Sequence, residues 1–149
     1  MPDSKREQLL AEIQRVFKTT TGSGGTAFKE VFASPYQGRE KAGQNVLSVL
    51  EGTETYLEVV SPDKRDRRLD VELDCKAYVP MGTTLRAGGN NVLADLEEIV
   101  EANSLWSGLA YSTIFQSNLV EREDTGDRNV QVTLFIAVQY RTKRSDPRT

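Results

Sequence analysis

From Val130 to Tyr140 every second residue is large and apolar. Val130, Val132, Leu134, Ile136, Val138 and Tyr140 alternate with Gln131, Thr133, Phe135, Ala137 and Gln139. Side chains on an extended chain point to opposite faces in turn, so a period of two marks a β-strand with one core face. A second run has the same period: Leu69, Val71, Leu73, Cys75, Ala77 and Val79 alternate with Asp70, Glu72, Asp74, Lys76 and Tyr78. A sheet covered on both sides reads as unbroken apolar runs, and neither segment does. The pattern demands an antiparallel or mixed sheet with one open, mostly acidic face. The second face of the 130–140 run is nearly uncharged until Arg141 and carries Phe135. Either the helix layer or a neighbouring subunit covers that side.

Two helices supply the other layer. Over residues 5–18, Leu9, Leu10, Ile13, Val16 and Phe17 recur at helical spacing, with Ser4 and Glu7 placed as a capping box. Over residues 90–103, Val92, Leu93, Leu96, Ile99 and Val100 form a second stripe. Asn90 or Asn91 is its expected cap, with Asp95 favourable near that end. Glu97, Glu98 and Glu101 make its outer side acidic. Shorter strands are predicted over 28–33, with Phe28 and Phe32 on one face, and over 46–50 and 56–60, the last two joined by a hairpin turn at 51–54. Strand 114–120 leads through a charged loop, 121–128, into the final strand. Together these predict an α/β (α+β) fold: one domain over residues 1–149, a mixed, largely antiparallel sheet packed against two helices. Residues 141–149 form a basic tail, expected to be flexible.

Composition narrows the chemistry. The chain has 149 residues, no histidine, one cysteine and a formal net charge of −3. Without histidine, the commonest acid–base group near neutrality is missing, and so is a common metal ligand. Cys75 falls on an apolar strand face and reads as core. Gly22, Gly24 and Gly25 lack the lysine and hydroxyl residue that complete a phosphate loop, and a helix precedes them where a strand should stand. Asp70, Glu72 and Asp74 sit on alternate strand positions, about 6–7 Å apart, which suits a row of solvated acids better than an acid–base pair. No apolar run is long enough to cross a bilayer or serve as a secretion signal. The expectation is a soluble, non-enzymatic protein made in the cytoplasm, with no cofactor, no metal and no membrane partner.

Residues 63–68 are six charged residues in a row. They read as a solvated loop or as a rim that contacts a partner, through Lys64, Arg65, Arg67 and Arg68. Trp106 reads as a cap on the core or as an interface anchor. The basic residues at 64–68 and 141–148 are scattered and lack the exposed aromatics of a nucleic-acid stacking surface.

The segment from Val130 to Pro147 resembles the C-terminal end of tail terminator (tail completion) proteins of long-tailed bacteriophages. In that family a long final strand closes on a Tyr-Arg-Thr motif, followed by a short tail with Asp-Pro. Here these are Tyr140, Arg141 and Thr142, then Asp146 and Pro147. The order of elements is similar over nearly the whole chain. The resemblance implies a homohexameric ring in the virion, at the neck end of the tail, assembled in the host cytoplasm. Such a ring caps the last ring of tail-tube protein, ends tube polymerisation and presents a surface to the head–neck connector. DNA passes through its lumen without specific binding, and no family residue is catalytic. Under this implication Lys64, Arg65, Arg67, Arg68, Trp106, Arg122, Arg128, Phe135 and Arg141 are candidates for subunit or ring-stacking contacts. Asp70, Glu72 and Asp74, or Glu97, Glu98 and Glu101, are candidates to line the lumen. A tail-tube subunit, a head–tail joining protein and a protein-binding adaptor domain are the alternatives.

Overall fold

The computed structural model describes residues 3–34, 45–57, 62–122 and 128–149. The two alternating runs pair with each other. The third strand, β3 (Lys64–Tyr78), lies antiparallel to the fifth, β5 (Asn129–Lys143), in unbroken register from Lys64 opposite Lys143 to Tyr78 opposite Asn129. Before β3 come α1 (Lys5–Thr19), β1 (Glu30–Phe32) and β2 (Val46–Tyr56); between β3 and β5 come α2 (Leu85–Ala102) and β4 (Ser112–Arg122). Among the described residues the sheet order is β1-β2-β3-β5-β4, with β1 and β2 parallel and the other neighbours antiparallel.

The register sorts the side chains. Leu69, Val71, Leu73 and Cys75 face the same side as Val132, Leu134, Ile136 and Val138, and both sets share one buried core with Leu9, Ile13, Phe17, Leu96, Ile99 and Val100 of the helices. Both helices therefore pack on one face of the sheet. The face bearing Asp70, Glu72, Asp74, Phe135 and Gln139 is the one they leave open. The expected fold is the observed one: a single α+β domain with two helices against a mostly antiparallel five-stranded mixed sheet. Ser4 caps α1 by accepting the Glu7 N–H at 3.1 Å.

Several local expectations are corrected. Residues 46–56 form one strand rather than two strands and a hairpin; 51–54 is a register shift against β3. A Cβ on Gly52 would lie 3.1 Å from the Asp70 carbonyl oxygen, so this glycine marks a close backbone approach, not a turn. Residues 58–60 lie outside the described residues, as do 123–127 of the expected charged loop. Residues 64–68 belong to β3 rather than to a solvated loop. All five are charged, so no apolar alternation marks them as strand, and their register partners are mostly polar: Thr55 and Tyr56 on β2, and Gln139, Tyr140, Arg141, Thr142 and Lys143 on β5. Phe28 precedes β1 and packs edge-on against Phe17 in the core, ring centroids 5.9 Å apart. Phe32 pairs with Ser48 on the other face, so the two aromatics do not share a side. Arg141, Thr142 and Lys143 are the last residues of β5, and backbone hydrogen bonds link the residues after them to the rest of the chain. Arg144 N donates to the Asp63 carbonyl at 2.9 Å and Lys5 N to the Pro147 carbonyl at 3.1 Å.

The second helix starts earlier than the stripe suggests, capped by Thr84, whose side chain accepts the Ala87 N–H at 3.1 Å. Gly88 and Gly89 lie inside it. Each glycine costs a helix about 1 kcal/mol relative to alanine, which is why a start at Asn90 looked better. Close packing offsets that cost: a Cβ on Gly88 would stand 2.6 Å from Val79 Cγ1, and one on Gly89 2.7 Å from Val120 Cγ1. Asp95 is not near the first turn but is buried in mid-helix, where it accepts the Gly24 N–H at 2.8 Å and the Thr26 N–H at 3.0 Å. The glycine loop is thus folded around a carboxylate of its own chain. Because Val79 is β-branched and stiff, Gly88→Ala is expected to lose about 1–3 kcal/mol of stability, against its helix propensity. Urea unfolding checks this, and a more stable variant would contradict the packing account.

Candidate assembly interface

The Tyr140, Arg141 and Thr142 motif ends β5, and alternation sends its side chains to different faces. Tyr140 is buried, and its hydroxyl donates to Glu54 Oε1. Glu54 Oε2 lies 3.3 Å from Arg67 Nη1 and 3.7 Å from Arg6 Nη1. Arg67 Nε in turn donates to Thr142 Oγ1 at 3.2 Å. Burial first, and then the Glu54 hydrogen bond, push the Tyr140 phenol well above its ordinary pKa. On the open face, Arg141 grips Asp66 with two bonds, Nε to Oδ1 at 2.5 Å and Nη2 to Oδ2 at 3.1 Å, and stands 5.5 Å over the Tyr111 ring. The Arg141 hydrogen bond holds the Asp66 carboxyl below the usual carboxylate range. These three motif residues join strands within the chain's own sheet.

The remaining candidates divide by location. Arg65 and Arg67 stack on Tyr56 at 5.2 and 5.3 Å from the ring centroid. Arg68 Nε lies 3.6 Å from Asp70. The basic residues that looked scattered in sequence are gathered by the β3–β5 register at one end of the sheet, where Lys64 faces Lys143. Trp106 is wholly buried, its indole N–H donating to Thr113 Oγ1 at 3.0 Å, with its ring 6.4 Å from Phe17. It is a core residue and offers no surface as an interface anchor. Arg128 is likewise occupied: it donates to the carbonyls of Val79 at 3.0 Å, Pro80 at 3.1 Å and Thr83, tying the start of β5 to the β3–α2 connection. Arg122, at the end of β4, is exposed.

The two acidic sets lie on opposite sides of the molecule. Asp70, Glu72 and Asp74 stand on the open face, with Glu72 between Leu50 and Phe135 in the register. Asp74 accepts from Gln131 Nε2 at 3.0 Å and Thr133 Oγ1 at 3.3 Å, and Asp70 from Gln116 Nε2 at 3.4 Å. Burial, and then the Asp74 charge, raise the Glu72 pKa. Glu97, Glu98 and Glu101 sit on the helix layer, where Glu98 accepts from Ser23 N at 3.3 Å and Ser23 Oγ at 2.5 Å. The Cys75 thiol is buried, and that burial pushes its pKa up. Among the described residues, no group of three or more His, Cys, Asp or Glu side chains could hold a metal ion, and no helix is long and apolar enough to cross a membrane.

Sequence reasoning passed over two surfaces. Among the described residues β4 pairs only with β5, and none of its residues is buried; Ile114, Phe115 and Leu119 are among the exposed ones. The signal was present: Ile114 and Phe115 are adjacent, as are Leu119 and Val120, so the strand is apolar on both faces. Tyr56, 60% exposed, is the other.

No family model matches the chain, and no curated protein matches it. Among solved structures, it is similar to a chain of a structure described as "Virion of native gene transfer agent (GTA) particle", at 11% identity, covering 93% of this chain and 92% of that chain, with a TM-score of 0.41. At that TM-score the likeness carries no weight for function.

Two outcomes follow from the motif geometry. Tyr140→Phe removes a donor from a part-buried carboxylate and is expected to cost about 1–2 kcal/mol in chemical denaturation, with Glu54 left short of a partner. The Asp66 carboxyl is lowered on folding, so its contribution is complete above the unfolded value, about 4, and is lost as pH falls through the lower folded value. Arg141→Gln removes that linkage. Its stability should fall less than the wild type's between about pH 5 and pH 2; an identical acid limb would show that the pair carries no linkage.

Proposed function

We propose that this chain is a structural protein of a phage-type tail: a ring that caps the tail tube, ends its polymerisation and offers a surface to the head–neck connector. The observation that supports it best is the outer edge of β4, which has no partner strand among the described residues. Edge strands in monomeric proteins are usually shortened, charged or covered. β4 is eleven residues long and apolar on both faces, with its charged residues, Glu121 and Arg122, at one end. Such an edge suits a protein whose working state has neighbours on both flanks. The resemblance of residues 130–147 to tail terminator proteins supports this kind of assembly. Closed rotational symmetry repeats one contact until it closes, and a homohexamer is the ring this reading expects.

The open sheet face suits the lumen. Asp70, Glu72 and Asp74 present carboxylates there, and a negative wall repels phosphates, so passing DNA does not adhere. Phe135 and Arg68 share that face with the acids, while Arg122, exposed at the end of β4, is free for contacts between subunits or between stacked rings. The partners are further copies of the chain, tail-tube protein and the connector.

Mass measurement in solution and particle imaging with tube protein present test the reading. A six-membered ring at tube ends is expected. A chain that never joins tube ends would defeat it, and long polymers of the chain alone would point to a tube subunit. Replacing Asp70, Glu72 and Asp74 together by lysine should slow DNA ejection and lower infectivity; unchanged values would reject the lumen assignment.

A further inference from the structure

A shallow, open groove of about 480 Å³ lies along α2 beside Phe115 of β4. Leu93, Ala94 and Phe115 give it an apolar lining, while Glu97, Glu98 and Glu101 add three carboxylates. Its lining residues include no cation. Glu98 is engaged by Ser23, but Glu97 and Glu101 have no partner among the described residues. Negative charge beside an apolar slot selects an occupant with an apolar body and a positive fringe.

The chain carries such a feature elsewhere. Tyr56 projects from the end of β2, 60% exposed, with the guanidiniums of Arg65 and Arg67 stacked at its ring and Lys64 next in sequence. An exposed tyrosine flanked by two arginines combines the residue types that dominate interface energetics. Positive charge accumulates at this end. The Lys5 ammonium is held below its ordinary pKa by burial first, and then by the charges of Lys64 and Arg141.

Groove and knob cannot meet within one subunit. The groove lies at the β4 edge and the knob on β2, with β3 and β5 between them. We propose that the acid-lined groove along α2 beside β4 receives the Tyr56 knob of a second copy of this chain. The contact is head-to-tail, because the two surfaces differ and do not overlap. A contact of this type generates a ring when its rotation closes. The inference rests on the self-assembly reading and names its lateral contact. It also separates the roles of the acids: those on α2 hold the neighbour, and those on β3 face the lumen.

Reciprocal charge reversal tests it. Glu97→Lys with Glu101→Lys gives a groove variant; Lys64→Glu with Arg65→Glu gives a knob variant. Both leave Glu98, Arg67, Glu54 and Asp66 in place, since those residues hold the subunit's own fold. Sedimentation of each purified variant at low salt should show association weakened at least about tenfold relative to wild type. An equimolar mixture should regain it, because each variant's groove then meets the other's knob, and native mass spectrometry should find the two in equal numbers. Variants that assemble like wild type, or a mixture that stays apart, would overturn this contact while leaving the ring reading intact. A wild-type chain that remains monomeric at low salt overturns it too; the ring reading falls only if tube ends also fail to assemble the chain. Should a variant unfold, as circular dichroism would reveal, the wild type still decides the matter. Its association must weaken between about 0.05 and 0.5 M salt, where screening shortens from above to below 10 Å. Salt-independent association would overturn the contact.

Discussion

β3 and β5 pair along their whole lengths, and every other element takes its position from that ladder. A one-residue slip would turn Leu69, Val71 and Leu73 to the open face and bring Asp70, Glu72 and Asp74 under the helices. Burying three carboxylates without partners costs far more than a small domain's net stability can absorb. The register is therefore fixed by hydrophobic patterning alone over the upper part of the ladder. Lower down, where residues 64–68 are charged, patterning gives no guide, and specific bonds take over. Arg141 clamps Asp66 directly across the ladder, and Arg67 reaches Thr142. The charged end thereby keeps the same register that the apolar part sets.

That division explains what the Tyr140, Arg141 and Thr142 motif contributes. Tyr140 on the helix face links β5 to β2 through Glu54, and Arg141 on the open face links β5 to β3 through Asp66. Lys5 Nζ adds a bond to the Arg141 carbonyl at 2.7 Å, so α1 closes onto the same place. The described ends of the chain meet there, where β2, β3 and β5 also meet. A resemblance carried by such a motif reports on how a subunit is held together. It speaks to assembly only through the surfaces that this framework then leaves exposed.

The parts of the fold that were legible in sequence are those where solvent and core sort side chains locally. The stripes of α1 and α2, the alternation of 69–79 and of 130–140, and the open face between them all follow from which residues avoid water. The illegible parts depend on contacts distant in sequence. Gly52 resembled a turn residue because nothing local shows that Asp70 must pass close to it. Gly88 and Gly89 resembled a helix boundary because only Val79 and Val120 explain them. Trp106 admits two readings in sequence because its burial, with Thr113 accepting its N–H, is set by the fold around it. The candidate surfaces were the least legible, since the scattered cations of 64–68 and 141–148 become one patch only once β3 and β5 are paired.

If the chain assembles with copies of itself as proposed, the placement of acids on both faces constrains how it does so. With a net charge of −3, identical copies repel one another weakly at long range. Association must then come from local complementarity that outweighs this repulsion at contact. Carboxylates on the open face cannot supply it if that face borders a channel, because copies around a ring would present like charge to like charge across the lumen. Those on α2 can, because they lie on the helix layer beside the exposed edge strand, where a neighbour's cations can approach within a screening length. In the proposed ring the two acidic sets would then not work against each other: repulsion would be confined to the sheet face that borders the channel, and attraction to the α2 flank that meets the neighbour.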